Sequence, residues 1–214
     1  MMKLSILYDN TTQRGDMKAD WGFSALVERD GETILFDTGA EWEILKANMD
    51  SMGMDLGSID RIVISHDHWD HNGGLAGILD EIDVPVHIPS SFETDVESDE
   101  IVVESQPGKI CEGFHTTGEL GGIEQSMAVD IRDGLFLVVG CSHPGLGRIL
   151  DEVSKMGNVV GVAGGFHGFS DLKRLEKLQM VVPTHCTQKI EEIKKLYPEK
   201  YIEGGAGCVI EMDS

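Results

Sequence analysis

At 214 residues and 41% hydrophobic content, the chain has enough apolar material for one substantial core, and no Pro/Ser-rich linker or low-complexity tract divides it. Lys and Arg number 17 against 38 Asp and Glu, and the formal charge of −21 repels phosphate backbones and anionic lipid, which makes nucleic acid and membrane surfaces poor partners. No apolar run approaches the ~20 residues that span a bilayer, and the apolar stretch in MMKLSILYDN is too short for a signal peptide, so a cytoplasmic location is expected.

Residues 3–8 alternate as a strand does. GFSALVE (22–28) and TILF (33–36) predict two more strands, joined through an Asp30-Gly31 hairpin turn. EWEILKANMDSMG, from Glu41, sets Trp42, Ile44, Leu45, Met49 and Met52 at roughly helical spacing, with Gly53 as the stop. RIVIS (61–65) reads as a buried strand that runs into HDHWDHN, and GGLAGILDEI (73–82) follows as a helix. Residues 84–140 are mostly β, with strands expected at VPVHI, IVVE, KICEGF, EQSMAVDI and GLFLVVG and a hairpin turn at Arg132-Asp133-Gly134. Strand–helix alternation then returns, and GCVIEM is the last strand. The whole of 1–214 is read as a single domain.

The histidines fall in a pattern. RIVIS-HDHWDHN, LFLVVG-CSH, NVVGVAGGFH (158–167) and MVVPTHC (180–186) each end a strand in histidine before a predicted helix. Ligands in α/β architectures gather at such strand ends. GGLAGILDEI and PGLGRILDEV (144–153) also share Gly-Leu and Ile-Leu-Asp-Glu at matching offsets, through duplication or through chance recurrence of common pairs.

Within six residues, HDHWDH crowds three imidazoles and two carboxylates, donors that a borderline divalent ion prefers. Without a cation they repel one another. On a tight turn His66 and His68, two apart, converge on one ion, while Asp70 and His71 diverge toward a second, about 3.5–4 Å away. Further ligands must come from other strand ends, where His143 and His185 stand. His167, in GGFHG, is a further candidate ligand, or else contacts substrate or finishes a turn. His87 and His115, on or just after alternating strands, read as structural. The four cysteines (Cys111, Cys141, Cys186, Cys208) show no CxxC or close pair, so neither a disulfide framework nor a zinc ribbon is expected. Cys141 is either a soft ligand or, by preference, a small residue packed beside the site.

HDHWDH matches the H-x-H-x-D-H signature, and the chain resembles the metallo-β-lactamase-fold superfamily over nearly its whole length. LFDTG (35–39) is similar to that family's first motif. ADWGFS (19–24), GCSHPG (140–145), GGFH and PTHCT (183–187) are similar to one branch, the dihydropterin–ribofuranosylaminobenzene 5'-phosphate synthases of methanopterin biosynthesis. The resemblance implies an α/β, four-layer αββα sandwich: two mixed sheets flanked by helices. It implies two divalent ions, Zn by default with Fe or Mn as alternatives, and Asp37 bracing their ligands from behind. Two departures stand out. Glu119 lies near the position of an expected histidine, and Gly140-Cys141-Ser142-His143 ends a strand where the family usually carries a bridging Asp.

The expected ligands are therefore His66, His68, Asp70, His71, His143 and His185, with Asp70 also acting as base. The helices starting near Pro144 and Thr187 offer first-turn N–H groups to an anion. Thr184 and Thr187 serve either as hydrogen-bond donors to substrate or as helix caps. Trp69 borders the site, where it stacks on a planar heterocycle or, by preference, packs on the adjacent helix; Trp21 and Phe23 pose the same choice. Segment 89–110 is short and acidic where longer members of the resembled family build more of their pocket, which implies a different ligand or a partner for the compact version. These parts point to a hydrolase or transferase acting on a small phosphate- or pyrophosphate-bearing molecule, pterin-related by resemblance. The alternative is a metal-loaded sensor without turnover. A homo-oligomer is left open.

Overall fold

The computed structural model describes residues 1–93 and 100–214. The apolar runs become strands β1 (Met2–Tyr8), β2 (Ser24–Arg29), β3 (Glu32–Phe36), β4 (Arg61–Val63), β5 (Val86–Ile88) and β6 (Ile101–Val103). They continue with β7 (Gly108–Cys111), β8 (Phe114–Thr116), β9 (Met127–Ile131), β10 (Gly134–Val139), β11 (Val159–Gly165), β12 (Met180–Thr184) and β13 (Val209–Met212). The helices are α1 (Trp42–Ser51), α2 (Trp69–Asn72), α3 (Leu75–Leu79), α4 (Leu146–Val153) and α5 (Ile190–Leu196), with a 3₁₀ segment at Leu172–Lys177. One sheet runs β13-β1-β2-β3-β4-β5-β6 and the other β12-β11-β10-β9-β8-β7. Both are mixed: β3 to β6 pair in parallel, as do β10 to β12, and the other pairs are antiparallel.

Period-two alternation explains the layering. Phe136 and Val138 of β10 join Ile34, Phe36 and Val63 in a core between the two sheets. Leu135, Leu137 and Val139 face the other way, onto Leu146, Ile149, Leu150 and Val153 of α4 and Ile193 of α5. On the first sheet, Leu35 and Ile62 pack against Leu45 and Met49 of α1 and Leu75 and Ile78 of α3. A strand covered on both faces reads as an unbroken apolar run, as GLFLVVG does. The result is helix, sheet, sheet, helix: the expected α/β αββα sandwich.

Some expectations change. KICEGF is not one strand but a hairpin, because Gly113 turns at φ 78° between β7 and β8. The strand expected across EQSMAVDI begins only at Met127, which frees Glu124 and Gln125 for other contacts. After His167 comes the 3₁₀ segment rather than an α-helix. Of the acidic segment 89–110, residues 94–99 lie outside the described residues; the rest supplies β6 and all of β7 but Cys111. No helix among the described residues is long and apolar enough to cross a membrane.

Candidate metal centre

The carboxyl ends of β1, β3, β4, β10, β11 and β12 deliver the polar side chains. Asp37 follows β3 with φ 58°, and its N–H donates to Val63 O at 2.8 Å, so it leans toward the end of β4. There Ser65 donates its N–H to Asp37 Oδ1 and its hydroxyl to Asp37 Oδ2, both at 2.7 Å. With its proton given to Asp37, the Ser65 oxygen accepts from His66 Nδ1 at 2.8 Å. Gly140 closes in from the opposite sheet; a Cβ there would meet Ser65 Oγ at 2.2 Å, so no larger residue fits.

The loop then turns tightly, with His68 N–H donating to His66 O at 3.0 Å. His66 Nε2 and His68 Nδ1 stand 2.9 Å apart. His143, from the end of β10, joins them, its ring 4.8 Å from that of His66 and 4.9 Å from that of His68. Asp70 and His71 lie in α2, with the His71 ring 4.2 Å from that of His66. His71 Nδ1 donates to Asp37 Oδ2 at 2.7 Å, and its Nε2 faces His185 Nε2 at 3.2 Å. Asp70 Oδ2 lies 3.4 Å from His185 Nε2 and 3.9 Å from His71 Nε2. Asn10 Oδ1 meets His185 Nδ1 at 3.0 Å, and Asp9 Oδ1 accepts the His185 N–H at 2.8 Å.

Two donor sets emerge, His66/His68/His143 and Asp70/His71/His185, each with its ligand atoms within 4.8 Å of one another. Cys141 lies between them. Its Sγ is 3.2 Å from His71 Nε2 and forms sets with His66 and His71, and with His185 and Cys186. Cys141 is buried, as a packed residue would be, and its sulfur also lies among the ring nitrogens, so both expected roles stay open to it. His143 Nε2 is buried with no hydrogen-bond partner among the described residues. Imidazole lone pairs aimed at one another, an orphaned ring nitrogen, a carboxylate and a thiol together fit a borderline divalent cation.

Electrostatics agree. Burial, reinforced by neighbouring imidazoles, pushes His66, His71 and His143 below the ordinary histidine range, so these rings stay neutral and ligand-ready. Burial works to raise Asp70, but the His185 hydrogen bond and the neighbouring His71 and His185 imidazoles outweigh it and hold the carboxyl well below its usual range. Burial raises Asp37 to about 8 against the hydrogen bonds from Ser65. The Cys186 hydrogen bond and burial together push the Cys141 thiol far up, and the same hydrogen bond lowers Cys186.

Glu124 is the largest omission of the sequence reading. Wholly buried, it accepts the N–H groups of Cys141 (3.0 Å), Ser142 (2.9 Å) and His143 (2.7 Å) and so fixes the turn that aims His143. Desolvation raises it to about 7 despite those bonds. A single Glu before a strand carries no local signal of this duty. Asn10 is equally illegible as a site residue, whereas Trp21, expected to stack or to pack, instead donates its indole N–H to Asp70.

The remaining expected residues divide. His167 is exposed at φ 44°, its ring 5.2 Å from His143. Trp69 does not pack on a helix; it is 64% exposed and borders a cleft of about 320 Å³ together with Trp21, His68, Asp70, His143 and His167. Thr187 is not aimed at this cleft: its hydroxyl donates to Thr184 O at 2.7 Å and accepts the Phe166 N–H at 2.9 Å. The N–H groups expected after Thr187 are also taken, since Thr187 and Gln188 donate to Thr184 O and His167 O, and α5 begins only at Ile190. Thr184 lies behind the site, buried and with its hydroxyl unpartnered. Glu119 turns away to accept the Ser91 N–H at 2.5 Å. His87 and His115 pair with Glu104 (2.7 Å) and Asp130 (3.1 Å), as structural residues do.

Comparison with known proteins adds family and neighbours. The family model described as "Metallo-beta-lactamase superfamily" matches residues 21–147, more than half of the chain. The 7,8-dihydropterin-6-methyl-4-(beta-D-ribofuranosyl)-aminobenzene-5'-phosphate synthase of Methanocaldococcus jannaschii is 28% identical, over 78% of this chain and 80% of its own. Uncharacterized protein MJ0448 of the same organism is 28% identical over 97% of this chain and 99% of its own. The crystal structure of Tm1679, a metal-dependent hydrolase of the beta-lactamase superfamily, superposes with a TM-score of 0.80 at 26% identity, over 100% of both chains.

Proposed function

This chain belongs to the metallo-β-lactamase superfamily, and on that premise we propose that it is a metal-dependent hydrolase or transferase acting on a small phosphate- or pyrophosphate-bearing molecule. One observation carries the reading: two imidazole-rich donor sets stand side by side, with lone pairs that have no partner but each other. His66, His68 and His143 would hold one divalent ion and Asp70, His71 and His185 the other, with the Cys141 sulfur beside both sets. Zn is the first choice for such donors, and the thiol argues against a hard ion such as Mg. Ions bound there supply Lewis acidity toward a phosphoryl oxygen and bring the pKa of a water from about 15.7 to about 7.

The chain does the rest. Asp70 orients the attacking group and takes its proton. Asp37, Ser65 and Asn10 hold three imidazoles in the tautomer that presents a lone pair to the centre. His167, exposed beside His143, meets the departing phosphate. Trp69, at the cleft mouth, stacks on a planar substrate ring. The M. jannaschii relative is named as a synthase of a dihydropterin 5'-phosphate compound, which supports a phosphorylated, pterin-related substrate here. The charge of −21 supports a small molecule over nucleic acid.

The test is turnover of bis(p-nitrophenyl) phosphate and of inorganic pyrophosphate by the zinc-loaded protein. Asp70→Ala should cost about 10²–10⁴-fold in rate. Tight binding of pterin or nucleotide phosphates with no bond cleaved or formed across the panel removes the enzymatic reading.

A further inference from the structure

Trp21 sits in the connection between β1 and β2, outside any helix or strand, with half of its surface in solvent. An exposed loop tryptophan is ordinarily free to move. This one is not. Its indole Nε1–H donates to Asp70 Oδ2 at 2.8 Å, and its ring lies 5.2 Å from that of His185. The chain around it is tied to the same two residues. Phe23 N–H donates to Asp70 O at 3.1 Å, and Gly22 N–H donates at 3.2 Å to Asn10 Oδ1, the atom that also meets His185 Nδ1. Gly22, at φ 152°, passes so close that a Cβ would stand 2.7 Å from Asp70 O. On the other side Trp21 N–H donates to Asp20 Oδ1 at 2.8 Å, while Asp20 Oδ2 accepts the Tyr8 hydroxyl at 3.0 Å.

The segment is therefore a brace, and its side-chain contact is chemically specific. Indole N–H can only donate, so it takes up one lone pair of the Asp70 carboxylate and stops the group from rotating. The same oxygen keeps a second lone pair, and it stands 3.9 Å from His71 Nε2 and 3.4 Å from His185 Nε2. Partners of this kind behind a metal ligand are worth about 10–100-fold in metal affinity.

We propose that Trp21 is the positioning residue for the ion held by Asp70, His71 and His185: its indole N–H fixes the Asp70 carboxylate and thereby sets that ion's affinity. The ion at His66, His68 and His143 does not depend on it. This rests on the two-ion reading above.

The experiment is Co²⁺ titration of the metal-free full chain, followed by visible absorption and calorimetry, for wild type, Trp21→Phe and Trp69→Phe. Phenylalanine keeps a ring against His185 and removes the N–H. Trp21→Phe should weaken one of two binding events by about 10–100-fold and leave the other, and the metal-free Tm, as in wild type. Trp69→Phe should bind both ions as wild type does. If Trp21→Phe fails to fold, benzothienylalanine at position 21, which keeps the fused-ring shape and lacks the donor, carries the same expectation. Wild-type affinity at both sites in either variant overturns the inference, as does equal weakening of both sites. Wild-type protein that takes up fewer than two ions overturns the two-ion reading and this inference with it.

Discussion

His71 and His185, 114 residues apart in the chain, bring their Nε2 atoms to 3.2 Å from each other. With its Nδ1 proton donated to Asp37, His71 has a bare lone pair on Nε2; Asn10 does the same for His185. Two lone pairs at that distance do not attract, and a cation between them removes the repulsion. Asp37→Asn keeps the size of the side chain but not its charge. It should weaken metal uptake by about 10–100-fold. Metal retention equal to wild type in competition with a chelator tells against the arrangement.

Ions that bind only the folded chain stabilise it by mass action, by about 2.7 kcal/mol at a hundred times Kd. For a chain of this size that corresponds to a Tm rise of about 5–10 °C on adding Zn²⁺ to the stripped protein. Identical melting curves with and without the metal contradict the proposed site.

Cys141 Sγ stands 3.2 Å from His71 Nε2, inside both the His66/His71 set and the His185/Cys186 set. A thiol there loses its proton when it ligates. Co²⁺-loaded wild type should show a near-ultraviolet thiolate-to-metal band, absent in Cys141→Ser and kept in Cys186→Ser. A band that survives in Cys141→Ser assigns the sulfur to another residue.

Glu124 gathers three backbone N–H groups behind His143. Glu124→Gln turns an amide donor toward one of them, which costs about 1–3 kcal/mol. The pH dependence has a definite sign. The folded pKa, about 7, lies above the ordinary 4.5, so the favourable contribution is complete below pH 4.5 and lost as pH rises through 7. In metal-free protein the Tm gap between wild type and Glu124→Gln should therefore narrow from pH 5 to pH 8. A gap that widens over that range contradicts the burial-raised pKa.

Four residues that ring the centre, Asp37, Ser142, His167 and His185, carry left-handed backbone at φ 44–59°. Such conformations cost about 1–2 kcal/mol each for residues with a Cβ. Each lies just past a strand, where the chain must leave the sheet at once and still throw a side chain inward. The strand–histidine pattern showed where these exits fall, but not their hand.

What the sequence determined by itself is local. The unbroken apolar run GLFLVVG and the alternation in residues 3–8 marked strands, and HDHWDH marked one turn that carries several ligand types together. Chemistry of that density in one turn is legible without coordinates because neighbours in sequence are neighbours in space. The tertiary structure alone decided the partners: Asn10 for His185 across 175 residues, Trp21 for Asp70 across 49, and Glu124 for the turn at His143 across 19. Those contacts depend on how two sheets face each other and on where their strand ends meet. A local pattern repeating every two or 3.6 residues carries no information about that register.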